Sequence, residues 1–75
     1  MLTYYAYIKV SQTNQPESMT YFSHDVKDLH KSELDKDKHH IYMGRFRDLE
    51  HMVYEYNRRT IVLPDGSLKW SPIRR

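Results

Sequence analysis

The stretch RFRDLEHMVYEYNRR, residues 45–59, is the element around which the chain is organised, because its hydrophobic spacing, its length and its charges all predict one helix. Its apolar side chains recur at intervals of three and four residues, so on a helix of 3.6 residues per turn they form a single stripe. Cations at 58 and 59 suit a helix C-terminus. The sequence therefore predicts a main helix over about 46–58. The stripe assigned to its core side is Phe46, Leu49, Met52, Val53 and Tyr56.

The N-terminal part predicts a β-hairpin. Residues 2–10 alternate between an aliphatic face and a second face that carries Tyr5 and Tyr7, which is typical of a strand. That second face could be covered by another element or exposed as an aromatic platform, and we expect the two tyrosines to be exposed binding residues. A polar loop that contains Pro16 follows, and residues 18–23 are the expected return strand.

A shorter helix and a short strand are predicted next. Ser23 is a candidate N-cap for a helix over 24–34, where the apolar spacing changes to a helical period. Residues 35–39 are dense in charge and predict an exposed loop. Residues 40–44, HIYMG, then predict a strand between the two helices.

The C-terminal part predicts a second hairpin. Residues 60–63 are apolar and β-rich, PDG at 64–66 is a strong turn signal, and residues 67–71 are the partner strand. The predicted fold is thus one α+β domain over 1–71, with a small antiparallel sheet (two hairpins plus a short middle strand) packed by two helices. Residues 72–75 are predicted to be a short basic tail.

Composition excludes several classes of protein. The chain has 75 residues, of which 39% are hydrophobic, and a domain of this size has a stability of only about 3–5 kcal/mol. It contains no cysteine, which excludes disulfides and thiolate zinc sites and favours a cytoplasmic location. No apolar run approaches the roughly 20 residues that a membrane span requires. We expect no membrane partner and no export.

The five histidines do not form a metal motif. His39 and His40 are adjacent and would point to opposite faces of a strand. A zinc site would need His30 and Glu33, three residues apart, joined by His39 or His40. A small metal-dependent enzyme built on this set is the third and weakest hypothesis, and no cofactor is predicted.

No catalytic constellation is visible in the sequence. None of the serines lies in a glycine elbow, and two glycines are too few for a phosphate-binding loop. Glu50, His51 and Glu55 lie off the apolar stripe of the main helix, where an amphipathic helix exposes polar side chains. The sequence therefore predicts a protein that is not an enzyme.

The composition favours recognition by a surface. Aromatic side chains and arginines are enriched in protein interfaces, and all six arginines lie in residues 44–75. The first hypothesis is a small non-enzymatic protein-binding module, a modulator or inhibitor of a larger protein or complex, of the kind found among phage and mobile-element accessory proteins. The predicted binding residues are Arg45, Arg47, Tyr54, Arg58, Arg59, Tyr5 and Tyr7.

Nucleic-acid binding is the second hypothesis, because the same side chains suit a single strand. In that case the arginines neutralise phosphates, and Trp70 or a tyrosine stacks a base. A net charge of only +2 weighs against it, as do Asp48, Glu50 and Glu55 on the helix that would carry the basic patch. Neither hypothesis defines the oligomeric state.

Overall fold

The structure, a computed structural model, describes residues 3–71, which form five strands and two α-helices. A single 3-10 turn, His24–Val26, precedes the first helix. The predicted α+β class and order of elements are confirmed, while position 2 and the tail 72–75 lie outside the described residues. The elements are β1 Tyr4–Val10, β2 Pro16–Ser23, α1 Lys27–Lys36, β3 His40–Phe46, α2 Leu49–Arg59, β4 Thr60–Val62 and β5 Leu68–Trp70.

The strands form two antiparallel sheets. β1 is the central strand of a three-stranded sheet with the order β2-β1-β3, and β4 pairs with β5 in a second sheet of two strands. β1 occupies the centre because both of its faces are apolar enough to be covered: Ala6 and Ile8 are buried on one face, Tyr5 and Tyr7 on the other.

Two core clusters lie on opposite faces of the three-stranded sheet. On one face, α2 and β5 cover the sheet, and on the other face α1 covers it. The chain is therefore built in three layers. The first cluster contains Ala6, Ile8, Val10, Met43, Phe46, Met52 and Trp70. The second contains Tyr5, Tyr7 and Phe22, with Val26 and Leu34 packed against them.

The expectation that Tyr5 and Tyr7 are exposed is wrong. Both rings are buried, and each stacks on Phe22, with centroids 5.9 Å and 6.0 Å apart. Burial is possible because both hydroxyls have partners: Tyr5 Oη lies 2.8 Å from His24 Nδ1, and Tyr7 Oη donates to Asp35 Oδ1 at 2.7 Å. These tyrosines hold α1 and the turn before it on the sheet.

The main helix starts three residues later than predicted. Asp48 is its N-cap, with extended backbone and a side-chain oxygen that accepts a hydrogen bond from the His51 backbone N–H at 2.7 Å. Phe46 consequently belongs to β3, where it pairs with Tyr4 and still reaches the core. Because Asp48 caps the helix, the helix begins after it, although the hydrophobic spacing predicted a start at position 46.

The side of α2 that faces the core also differs from the prediction. Met52 and Glu55 are the buried residues of the helix, whereas Leu49 and Val53 are 43% and 47% exposed. Placing these two in the core was therefore wrong, as was placing Glu55 in solvent. Glu55 can be buried because Arg59, one turn along the same helix, pairs with its carboxylate.

Other boundaries shift by a few residues. β2 begins at Pro16, and α1 runs from Lys27 to Lys36, so it extends into the predicted loop. Ser23 stands at the N-cap position of the 3-10 turn, but its side chain makes no capping hydrogen bond. β3 continues to Phe46 because β1 offers pairing partners along its whole length.

Asn14 joins the loop after β1 to the last strand. Its backbone is left-handed, with φ 63°, a region that asparagine tolerates better than most residues. Asn14 Nδ2 donates to the Trp70 carbonyl at 2.6 Å, and the Trp70 N–H donates back to the Asn14 carbonyl at 2.8 Å. These two hydrogen bonds tie β5 to the three-stranded sheet.

Asn14→Ala is expected to destabilise the protein by about 1–3 kcal/mol, since alanine is strained in the left-handed region and also loses the amide hydrogen bond. Asn14→Gly keeps the backbone free of strain and loses only the bond, so it should cost about 1 kcal/mol. Urea unfolding of both variants separates the two contributions. Equal losses for alanine and glycine would contradict a role for the backbone conformation.

Candidate functional site

The outer face of α2, the side turned away from the core, is made of two adjacent rows of side chains spaced four residues apart. Leu49 and Val53 belong to one row and are 43% and 47% exposed. Tyr54 belongs to the other row and is 59% exposed. Large apolar side chains therefore stand together on the surface of a helix that already has its own core side. We define this outer face as Leu49, Glu50, Val53, Tyr54, Asn57 and Arg58.

A cleft lies between the end of β3 and α2, and its volume is about 190 Å³. It forms where β3 bulges: the register against β1 shifts by one residue at Met43, and Gly44 takes φ 147°, a conformation that side chains disfavour. The chain then turns and returns along α2. The β3–α2 cleft is lined by Met43, Gly44, Arg45, Phe46, His51, Glu55 and Arg59.

A buried ion pair forms one wall of the β3–α2 cleft. Glu55 is 1% exposed, and its Oε1 lies 3.3 Å from Arg59 Nε. This contact is an ion pair and not a hydrogen bond, so its attraction is chiefly electrostatic. Arg59 Nη1 also donates to the Met43 carbonyl at 3.2 Å, which connects α2 to the bulge of β3. Arg59 is thus held in place by both walls.

His51 connects the cleft with the outer face of α2. Its ring meets Phe46 edge-on, with centroids 5.5 Å apart, and lies 6.4 Å from the Tyr54 ring. A shallower hollow on the far side of His51 is lined also by Asp48, Glu50 and Tyr54. The cleft and the part of the outer face around Tyr54 therefore form one continuous surface.

Most of the predicted binding residues lie on or beside this surface. Arg45 and Arg59 line the cleft, and Tyr54 and Arg58 belong to the outer face. Arg47 is exposed in the turn before α2, outside the cleft lining. Tyr5 and Tyr7 lie instead in the core on the other side of the sheet.

Sequence reasoning missed several residues of this surface. It placed Glu55 in solvent and the two aliphatic residues of the outer face in the core. A usable signal was present, because a glutamate followed four residues later by an arginine is the spacing of an intrahelical ion pair. The placement of His51 at the mouth of the cleft depends on where α2 begins, which the hydrophobic spacing did not predict.

A separate charged network holds α1 on the opposite face of the sheet. Tyr7 Oη donates to Asp35 Oδ1, and Lys31 Nζ donates to Tyr7 Oη at 3.2 Å and to Asp35 Oδ2 at 3.0 Å. Burial and the Asp35 carboxylate raise the pKa of Tyr7. Hydrogen bonds from Tyr7 and Lys31 lower the pKa of Asp35, and the bonds to Asp35 and Tyr7 raise the pKa of Lys31.

The Asp35 pKa predicts part of the acid sensitivity of the fold. Because that pKa is lower in the folded than in the unfolded state, the carboxylate stabilises the fold above about pH 4, and this contribution is lost as the pH falls through the folded value. Asp35→Asn should lower Tm at neutral pH and shrink the fall in Tm on acidification. Asp28→Asn, on the same helix but outside the network, is the matched control. An unchanged acid-induced fall in Asp35→Asn would contradict this assignment.

The residues of the metal hypothesis do not come together in the structure. Within residues 3–71, no group of three or more histidine, cysteine, aspartate or glutamate side chains could hold a metal ion. His40 Nδ1 instead lies 2.9 Å from Asp37 Oδ2, three positions earlier in the chain. The described residues therefore give no support to a metal site at His30 and Glu33.

Comparison with protein-family models, with curated proteins and with solved structures found no match. None of the helices between residues 3 and 71 has the length and apolar character needed to cross a membrane.

Proposed function

We propose that this chain is a small protein-binding module whose contact surface is the outer face of α2. The observation that carries the proposal is the exposure of Leu49 and Val53 next to Tyr54 on one helix. Side chains of these types supply contact area in protein interfaces, with tyrosine and arginine as frequent anchors. Arg58 follows Tyr54 one turn later and adds a forked cation at the edge.

The arrangement suits the insertion of a helix into a groove. In that mode, apolar side chains spaced three or four residues apart enter an apolar groove of the partner, and polar side chains form the rim. α2 offers Leu49 and Val53 for the groove, with Glu50 and Arg58 for the rim. A module that acts only by covering a surface of its partner would work as a modulator or inhibitor of a larger protein or complex.

Nucleic acid is the less favoured partner because three aromatic residues predicted to stack on bases are covered. Tyr5, Tyr7 and Trp70 are buried, so none of these three rings can bind a base. Asp48 and Glu50 also place negative charge around the start of α2. These acids would oppose the approach of phosphates.

Affinity capture from the native host tests the proposal, with Leu49→Ser/Val53→Ser as the test variant. Leu29→Ser is the matched control, because Leu29 is 72% exposed on α1 at the opposite face of the sheet. A discrete protein should copurify with the wild type and the control, and recovery with the double variant should fall about tenfold. Circular dichroism checks that both variants are folded. Equal recovery would overturn the proposal, and recovery abolished by nuclease would favour nucleic acid.

A further inference from the structure

We infer that the free edge of β2 pairs with the same edge of a second copy of this chain, so that the two three-stranded sheets join into one continuous antiparallel sheet. The inference goes beyond the proposed function, because no residue of β2 belongs to the outer face of α2. The backbone of β2, its side chains and their match across a two-fold axis all favour this pairing.

Two residues of β2 direct their backbone N–H and C=O groups away from β1. The His24 N–H donates to the Thr3 carbonyl at 2.8 Å, and the two strands stay in register from that bond over most of their length. In an antiparallel ladder, every second residue points toward the same neighbour. Met19 and Tyr21 therefore point outward, and their backbone groups have no hydrogen-bond partner among the described residues.

The edge of β2 also lacks the features that keep exposed strands apart. Soluble proteins protect such edges with charged side chains, prolines or bulges. Residues 18–23, SMTYFS, contain no charge and no proline, and their pairing with β1 has no bulge. The opposite edge is protected, because β3 bulges at Met43, whose carbonyl accepts a hydrogen bond from Arg59, and β3 carries the exposed Arg45. The contrast indicates that the β2 edge is an interaction surface.

A second copy fits the side chains of this edge. With a two-fold axis at Thr20, antiparallel pairing puts Tyr21 of each copy opposite Met19 of the other, and the outward backbone groups of these residues exchange hydrogen bonds. Tyr21 is 47% exposed, and Met19 is only partly buried against the first core cluster. Each tyrosine ring would cover the methionine of the other copy and extend that cluster across the axis.

The charges on either side of this segment favour the axis at Thr20. Glu17 then faces Ser23 of the other copy, and the stretch between these two positions is uncharged. Moving the axis to Tyr21 would bring Glu17 toward Asp25 of the other copy, and symmetry would repeat that repulsion. A foreign strand would need side-chain pockets along the edge for specificity, and the clefts beside α2 do not reach it.

Pairing at this edge leaves the outer face of α2 uncovered. α2 is joined to β3 by the hydrogen bond from Arg59 to the Met43 carbonyl, at the edge of the sheet opposite β2. The dimer would therefore present two outer faces, one from each copy. Two linked surfaces bind an assembly with repeated sites more tightly than one surface does.

Sedimentation equilibrium of the full chain, from about 1 to about 500 μM, tests the pairing. The mass should rise from that of one chain, 9.2 kDa, to twice that value, with a Kd on the order of 10 μM for an interface of this small size. Thr20→Lys puts two lysines opposite each other at the axis and should weaken the dimer at least about tenfold. Val62→Lys, at a position 69% exposed on β4, is the matched control and should leave the dimer unchanged.

Charge complementation separates self-pairing from a loss of folding. Mixing Thr20→Lys with Thr20→Glu should restore the dimer, because the axis places position 20 of one copy opposite position 20 of the other. Circular dichroism checks that each variant is folded. Three results would overturn the inference: a monomeric wild type at about 500 μM, equal dimerisation of Thr20→Lys and wild type, or no dimer in the mixture.

Leu49→Ser/Val53→Ser separates this inference from the proposed function. That variant should keep the dimer and lose the protein partner in affinity capture. If it loses the dimer instead, the copies meet through α2 and the pairing of β2 edges is wrong. If the wild type is monomeric and Thr20→Lys abolishes capture, the edge receives a strand of another protein, which also overturns self-pairing. If the dimer persists while capture is indifferent to the double variant, the proposed contact surface is wrong and the pairing of β2 edges stands.

Discussion

Trp70→Ala is expected to leave the protein largely unfolded at room temperature. Trp70 is fully buried in the cluster between the three-stranded sheet and α2, and its ring lies 5.7 Å from that of Tyr56. Removing a buried tryptophan side chain costs about 3–5 kcal/mol, which is comparable with the whole stability expected of a domain this small, about 3–5 kcal/mol. The strand that carries Trp70 also bonds to Asn14, so the second sheet would detach with it.

Trp70→Phe is the informative control for this experiment. Indole Nε1 of Trp70 has no hydrogen-bond partner among the described residues. Replacement by phenylalanine therefore removes side-chain volume but no hydrogen bond, and it should lower the stability by only about 1–2 kcal/mol. Far-UV circular dichroism in urea measures both variants, because fluorescence loses its tryptophan. A cooperative transition for Trp70→Ala within about 1 kcal/mol of wild type would contradict the central role of this side chain.

Arg59→Met is expected to have the second largest effect, about 3 kcal/mol, because it removes a cation that compensates a buried carboxylate. Glu55 is 1% exposed, so water cannot replace Arg59 without opening the cleft. The substitution also removes the hydrogen bond to the Met43 carbonyl, which joins α2 to β3. Chemical denaturation gives the loss in free energy of unfolding.

A second variant shows whether the loss comes from removing one charge of the Glu55–Arg59 pair. Glu55→Leu combined with Arg59→Met removes both charges and fills the space with apolar atoms, and such replacements are often neutral or stabilising. The double variant should recover at least half of the stability lost in Arg59→Met. If the two substitutions add without recovery, the role of Arg59 lies in packing and in its bond to Met43.

Local signals in the sequence were sufficient for much of the fold. The alternation in the first strand, the PDG turn and the helical spacing after position 48 predict the elements and their order, because each depends on neighbouring residues alone. The α+β class could be predicted from these elements, because each helix has one apolar side and that side needs a sheet to pack on. Asp48 is a residue type that commonly caps a helix N-terminus. The apolar spacing extended back to Phe46, however, and placed the predicted start of the helix before Asp48.

The site could be predicted only in part, because burial there is decided by long-range contacts. Tyr5 and Tyr7 are half polar, and whether they face water depends on partners 19 and 28 residues away. Glu55 has a charged side chain, but it is buried because its carboxylate pairs with Arg59. The arginines at the two ends of the helix were predicted as binding residues. That Arg59 pairs with a buried carboxylate while Arg58 is exposed could be seen only in the folded chain.

We propose that the outer face of α2 is the surface that contacts a protein partner. Its most direct test is a photoreactive p-benzoylphenylalanine at position 54, irradiated in cells of the native host, against the same residue at position 29 of α1. Tyr54 is 59% exposed and Leu29 is 72% exposed, so both positions tolerate the substitution. We predict a discrete covalent adduct with one protein from position 54 and none from position 29. Adducts of equal yield from both positions, or no adduct from position 54, would contradict the claim.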